Sequence, residues 1–185
     1  MTVAAAVLAA GAGSRFAGDD HKLRAAFRGR AVLSWVLDAV DEAGFDQVFV
    51  VSGAARVDDL VGPNHTVIHN EAWADGQATS MGLAVDAAAT AGHDALVIGL
   101  ADQPLVPASA WRGVAAEAGE IVTATFAGKR RPPVKLSSRV WPDLVRSGDT
   151  GARELMARRA DLVRELPCQG NPIDIDTLED LQRWS

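Results

Sequence analysis

A chain of 185 residues has room for one domain with a substantial core, and 48% hydrophobic with 23% charged residues is an ordinary globular composition. The formal net charge of -6 argues against a nonspecific nucleic-acid binder, yet a few local cations and backbone N–H groups can still hold a phosphate. A single cysteine, Cys168, excludes an internal disulfide and a cysteine-built metal cage, and reads as a small buried or half-buried thiol near a strand end.

No Lys or Arg precedes the first apolar stretch, residues 3–10, so no secretory signal is read there. The stretch is also too short to span a bilayer, and the expectation is a cytoplasmic protein with no membrane partner. Residues 3–8 form a continuous apolar run of strand length, as expected for a strand covered on both faces. A helix is predicted over 32–43, where Leu33, Val36, Leu37 and Val40 make one apolar face and Gly44 closes the end. Strands follow at 47–52 and 66–69, a helix at 80–91, a strand at 95–100, a helix at 108–117 and a strand at 120–126. Residues 128–133, rich in Gly and Pro, read as a turn before a short strand at 133–136. A helix is expected around 138–146, with Pro142 tolerable only in its first turn. After the break at 148–151 come a helix at 152–160, a strand at 162–166, a segment at 173–176 and a terminal helix from Leu178, with Thr177 as N-cap. No repeat or linker interrupts residues 1–185, so one domain is expected. The βαβα alternation predicts an α/β fold: a three-layer α/β/α sandwich around a mainly parallel sheet.

Between the first strand and first helix lies Leu8-Ala9-Ala10-Gly11-Ala12-Gly13-Ser14-Arg15. Glycines there let the backbone approach an anion, with loop N–H groups turned toward it. The P-loop form needs Gly-Lys-[Ser/Thr] at its close, and Gly13-Ser14-Arg15 lacks it. The dinucleotide form needs a glycine where Phe16 stands and an acid at the end of the second strand, which ends in Ser52-Gly53. What remains is a triphosphate grip. Arg15 and Lys22 bring two cations to one site, as nucleotidyl transfer requires while charge builds on the α-phosphate and the departing pyrophosphate.

This loop, continued through Phe16-Ala17-Gly18 to Lys22-Leu23, resembles the signature L-A-A-G-x-S-x-R-M-G-x-x-K of the MobA-like nucleoside triphosphate transferase family. Phe16 replaces the methionine, Ala17 is inserted, the serine is shifted by one place, and Asp19-Asp20-His21 separate Gly18 from Lys22. Further segments match in order. Asn70-Glu71-Ala72-Trp73-Ala74-Asp75-Gly76, followed by Ser80-Met81, is similar to N-x-x-W-x-x-G-x-x-x-S-L; Ala101-Asp102-Gln103-Pro104 to G-D-Q-P; Gly148-Asp149-Thr150-Gly151-Ala152-Arg153 to G-D-x-G-A-R; and Asp174-Ile175-Asp176-Thr177 with Glu179-Asp180-Leu181 to D-I-D-T-P-E-D-L.

The resemblance implies a Rossmann-like three-layer α/β/α sandwich of the nucleotide-diphospho-sugar transferase type, and a set of roles. Arg15, Lys22 and Asp102 would be catalytic. Leu8, Ala9, Ala10, Gly11, Gly13, Ser14, Gly76 and Ser80 would bind the nucleotide, Ser80 either as ligand or as helix cap. Asp102, emerging at a strand's carboxyl edge, would hold Mg²⁺ (or Mn²⁺) with Asp176 or Asp174, since magnesium takes only one or two carboxylates beside phosphate and water oxygens. Arg131, Asp149 and Arg153 would line the acceptor side, where an arginine can pair a phosphate bidentately. Leu-Ala-Ala-Gly with the other segments is most similar to molybdenum cofactor cytidylyltransferases. The implied partners are therefore CTP in preference to GTP, molybdopterin as phosphorylated acceptor, and a molybdenum hydroxylase receiving the product. Sugar-phosphate or phospholactate acceptors are the runner-up, and a non-catalytic nucleotide-binding chaperone or an NAD oxidoreductase are the readings from other classes. The four histidines show no zinc-type spacing.

Overall fold

The computed structural model describes residues 1–18 and 20–185; Asp19 lies outside the described residues. The strands are β1 (Val3–Ala9), β2 (Ala26–Phe27), β3 (Arg30–Ala31), β4 (Val48–Ser52), β5 (His65–His69), β6 (Ala95–Leu100), β7 (Ile121–Phe126), β8 (Lys129–Ser137) and β9 (Val163–Pro167). The α-helices are α1 (Val32–Ala43), α2 (Gln77–Thr90), α3 (Ala108–Ala116), α4 (Ala152–Arg158) and α5 (Leu178–Trp184). The large sheet has seven strands in the order β5-β4-β1-β6-β8-β7-β9. β1 pairs parallel with β4 and β6, β4 with β5, and β7 with β9, while β8 runs antiparallel to both its neighbours. β2 and β3 form a separate small hairpin ahead of α1.

Strand residues alternate between two cores, as the period of two requires. Ala5, Val7 and Ala9 of β1 and Val48 and Val50 of β4 face one side, with Val36 and Val40 of α1, Trp111 and Val114 of α3, and Leu181 and Trp184 of α5. Ala4, Ala6 and Leu8, with Phe49 and Val51, face the other, where Met81, Ala84 and Val85 of α2 and Leu155 and Met156 of α4 cover them. Both faces of the sheet are thus sealed by helices, which explains the unbroken apolar runs of β1, β4 and β6.

Two expectations are corrected. The stretch 128–133 is not only a turn: Ala127 and Gly128, both at positive φ, reverse the chain, and β8 begins at Lys129. Its prolines are tolerated because the β7–β8 ladder jumps from Thr123↔Val134 to Ala124↔Arg131, so Pro132 and Pro133 sit in the irregularity where no ladder N–H is needed. The helix expected at 138–146 is absent; only a single 3₁₀ turn, Trp141–Asp143, forms around Pro142. The apolar side chains there act as plugs instead. Val140, Trp141 and Leu144 insert into the α2–α4 core, and Trp141 Nε1 donates to Leu136 O at 3.1 Å. Among the described residues no helix is long and apolar enough to cross a membrane.

Candidate active site

In an open α/β sheet, ligands bind beyond the carboxyl ends of the strands where the strand order reverses. Here the chain steps outward from β1 to β4 and β5, then returns to place β6 on the other side of β1. The loops after β1 and β6 therefore flank one crevice. The first carries the glycine loop and Arg15; the second carries Asp102.

The C-terminal segment is stitched onto the loop after β6. Asn171 N–H donates to Leu105 O (3.3 Å), Gln103 Nε2 to Pro172 O (3.2 Å), and Ile175 N–H to Asp102 O (2.9 Å). Ile175 is fully buried beneath it. These two main-chain bonds and one side-chain bond deliver Asp176 to Asp102, although the two are far apart in sequence. Lys22 closes the cluster: its Nζ donates to Asp102 Oδ2 at 2.5 Å and to Asp176 Oδ1 at 2.7 Å. An Arg15 guanidinium nitrogen stands 2.8 Å from Asp176 Oδ2. Burial works to lower the pKa of the Lys22 ammonium, but Asp102 and then Asp176 outweigh it and hold it above the ordinary lysine value. Lys22 is only 9% exposed, whereas the Arg15 side chain is 74% exposed and reaches Asp176 from the solvent side.

Asp174 goes elsewhere. Its Oδ1 accepts from Gln103 Nε2 at 2.9 Å, and burial, then the neighbouring Asp102 charge, push its carboxyl above the usual range. Asp102 Oδ1, by contrast, is buried and has no hydrogen-bond partner among the described residues. An orphaned carboxylate oxygen costs free energy unless something positive meets it. Asp102 and Asp176 already converge on one positive centre, so this donor set suits a divalent cation whose remaining ligands are phosphate and water oxygens. Among the described residues no group of three or more His, Cys, Asp or Glu side chains is placed to hold a metal by itself.

A cavity of about 340 Å³ opens in front of this cluster. Leu8, Ala9, Ala10, Gly11, Gly13, Ser14, Arg15, Lys22, Gly76, Ser80, Asp102, Asp149 and Asp176 all line it. So do Trp73, Gln77 and Leu23, which the sequence reading left without a site role. Ser80 is not a helix cap: α2 starts at Gln77 with Gly76 ahead of it. Buried Asn70 donates to Thr79 Oγ1 (2.9 Å) and Ser80 Oγ (2.8 Å), so the Ser80 hydroxyl keeps its own proton as a donor. The amides that start α2 are taken by another loop. Ala78 N–H donates to Gly148 O at 2.9 Å and Gln77 N–H to Asp149 Oδ1 at 3.4 Å. Asp149 therefore belongs to this first cavity and to the helix start.

A second cavity, about 520 Å³, adjoins the first and shares Leu8, Gln77 and Leu100 with it. Its floor is apolar, with Met81, Ile98, Val134 and Met156, and its rim carries Arg130, Arg131 and Arg153. Arg130 is paired with Glu165 at 2.7 Å; Arg131 and Arg153 form no ion pair among the described residues. Asp174 and Gln103 also line this second cavity. Outside both cavities, burial raises the Cys168 thiol above its ordinary pKa, which leaves it a packing residue.

Comparison with known proteins gives a consistent set of relatives. The model of a family described as the MobA-like NTP transferase domain matches residues 5–163. The purine catabolism protein PucB of Bacillus subtilis is 30% identical over 188 residues, covering 94% of this chain and 91% of that protein. The crystal structure of Rv0371c from Mycobacterium tuberculosis H37Rv superposes with a TM-score of 0.85 at 30% identity, over 100% of this chain and 97% of that one. A complex of Rv0371C with manganese superposes with a TM-score of 0.81 at 28% identity, over 100% and 98% of the two chains.

Proposed function

The chain belongs to the MobA-like NTP transferase family, and from that premise we propose that it transfers a nucleoside monophosphate, CMP in preference to GMP, from its triphosphate to a phosphorylated acceptor, molybdopterin, with release of pyrophosphate. The observation that carries this reading is the meeting of Arg15, Lys22, Asp102 and Asp176 on the lining of the glycine-loop cavity, beside a second cavity whose rim carries Arg131 and Arg153.

The triphosphate lies along the glycine loop, with its base toward Ala10, Trp73 and Ser80. Arg15 and Lys22 face the phosphates and stabilise the charge that grows on the leaving pyrophosphate. The acceptor sits on the apolar floor of the second cavity with its phosphate drawn to Arg131 and Arg153. That phosphate attacks the α-phosphorus in line; a phosphate monoester is already nucleophilic near neutrality, so alignment replaces a general base. Asp102 and Asp176 would hold Mg²⁺, which supplies charge neutralisation at the phosphate oxygens when bound. The manganese in the Rv0371C complex supports a divalent cation for this chain as well. We place the reaction in the cytoplasm.

The test is pyrophosphate release from the protein incubated with Mg²⁺, molybdopterin and each NTP in turn. CTP with molybdopterin should give the fastest release, and Asp102→Ala should lower it about 100-fold or more. Release supported only by a sugar phosphate or phospholactate moves the acceptor to that class, and GTP as the better donor reverses the base preference. An Asp102→Ala protein working at the wild-type rate overturns the metal assignment.

A further inference from the structure

The glycine loop is held by little of its own backbone. Between Ala10 and His21, the described residues make one internal main-chain hydrogen bond, from Phe16 N–H to Gly13 O at 2.8 Å. A side chain supplies the rest. The Leu23 amide donates to Nδ1 of His21 at 3.3 Å, so Nδ1 is the ring's acceptor and Nε2 its donor. Nε2–H in turn donates to the carbonyl oxygen of Gly11 at 3.0 Å. The ring also lies flush against Gly13, where an added methyl carbon would meet Nε2 at 3.1 Å on a backbone already at φ +62°. Gly11, Ala12 and Gly13 line the cavity while His21 does not, so the imidazole stands behind the loop.

The peptide bond between Gly11 and Ala12 is trans, and in a trans peptide the C=O and the next N–H point in opposite directions. Drawing the Gly11 carbonyl back onto His21 therefore turns the Ala12 N–H forward, toward the cavity. That N–H donates to no group among the described residues. The geometry points to His21 as a positioning residue of the phosphate-binding loop: it sets the Gly11–Ala12 peptide so that the Ala12 amide meets an oxygen of the bound triphosphate. The inference rests on the nucleotide reading above and deepens it. His21 touches neither substrate nor reacting atoms; it acts through one peptide plane.

Titration of wild type, His21→Leu and His21→Gln with CTP, GTP, cytidine and guanosine tests this. His21→Leu keeps the bulk behind the loop and removes the donor. It should weaken triphosphate binding about tenfold, leave nucleoside binding unchanged, and raise KM for the triphosphate with little change in kcat. His21→Gln restores a side-chain N–H of similar reach and should recover most of that loss. The inference is overturned by a Leu variant that binds triphosphates like wild type, by a Gln variant as weak as Leu, or by equal losses for nucleoside and triphosphate. A wild-type protein that binds no triphosphate removes the nucleotide reading and this inference together.

Discussion

At the scale of single residues, Lys22 is where the charges of the site are settled. One ammonium stands between two carboxylates whose side chains are 18% and 22% exposed. Removing it leaves those carboxylates facing each other with Arg15 as their nearest cation. Lys22→Met should therefore cost about 2 kcal/mol of stability, between the limits for surface and buried pairs, and thermal unfolding measures it. Added Mn²⁺ should raise the midpoint of the variant more than that of wild type, because the cation takes the position the ammonium left; equal rises count against the shared site. The residue types of this cluster were readable as chemistry, since cations beside a glycine loop and an acid at a strand end are each recognisable alone. Their meeting was not, because 80 and 154 residues separate Lys22 from its two acids. The separation of Asp174 from Asp176 was equally hidden: which acid faces the cluster depends on Gln103, a buried amide that spacing does not reveal. His21 read as one of four scattered histidines, because contact with a carbonyl ten residues back leaves no periodic trace.

At the scale of elements, local pattern located strands and helices wherever one face or both were plainly apolar, and α1 and β6 have the expected bounds. It failed where tertiary packing overrode it. The prolines of β8 broke the strand pattern yet fall in the ladder's irregularity, and the apolar residues after Ser138 mimic a helix while serving as plugs. The β2–β3 hairpin, two residues per strand, was too short to read. The ends of β7 and β8 are pinned by Glu120, which accepts from the Ser137 hydroxyl and from Arg139 at 3.0 Å. The Ser137 hydrogen bond, aided by Arg139 and Lys135 against the opposing effect of burial, holds the Glu120 carboxyl below the usual glutamate range. A depressed carboxylate contributes stability that is present above its unfolded-state pKa, about 4.3, and is lost as pH falls through the folded value. Glu120→Gln should therefore give a shallower loss of stability below about pH 4 than wild type, seen as a smaller shift in denaturation midpoint. The join between α2 and the 148–149 turn makes another sharp expectation. A methyl carbon at Gly76 would lie 2.4 Å from the Gly148 backbone, at φ +107°. Gly76→Ala should cost about 2 kcal/mol or more and expose the 148–151 turn to proteolysis, the second effect separating it from simple helix destabilisation.

At the scale of the whole molecule, the alternation of elements was sufficient for the α/β class and a covered, mainly parallel sheet, while the Rossmann-like form was legible only through the glycine loop and its companion segments. The insertion of β8 against the grain between β6 and β7 was not visible in that alternation. It depends on pairing between distant segments. The placement of β8 also divides labour along the chain. Residues up to Asp102 supply nearly the whole lining of the first cavity, with only Asp149 and Asp176 arriving later. Residues from Gln103 onward supply most of the second, and Leu8, Gln77 and Leu100 are the shared wall. The two halves of such a chain are free to diverge at different rates. Drift in β7, β8 and α4 reshapes the pocket opposite the donor and leaves the glycine loop untouched, so one inherited grip can be refitted to new acceptors by changes confined to the later half.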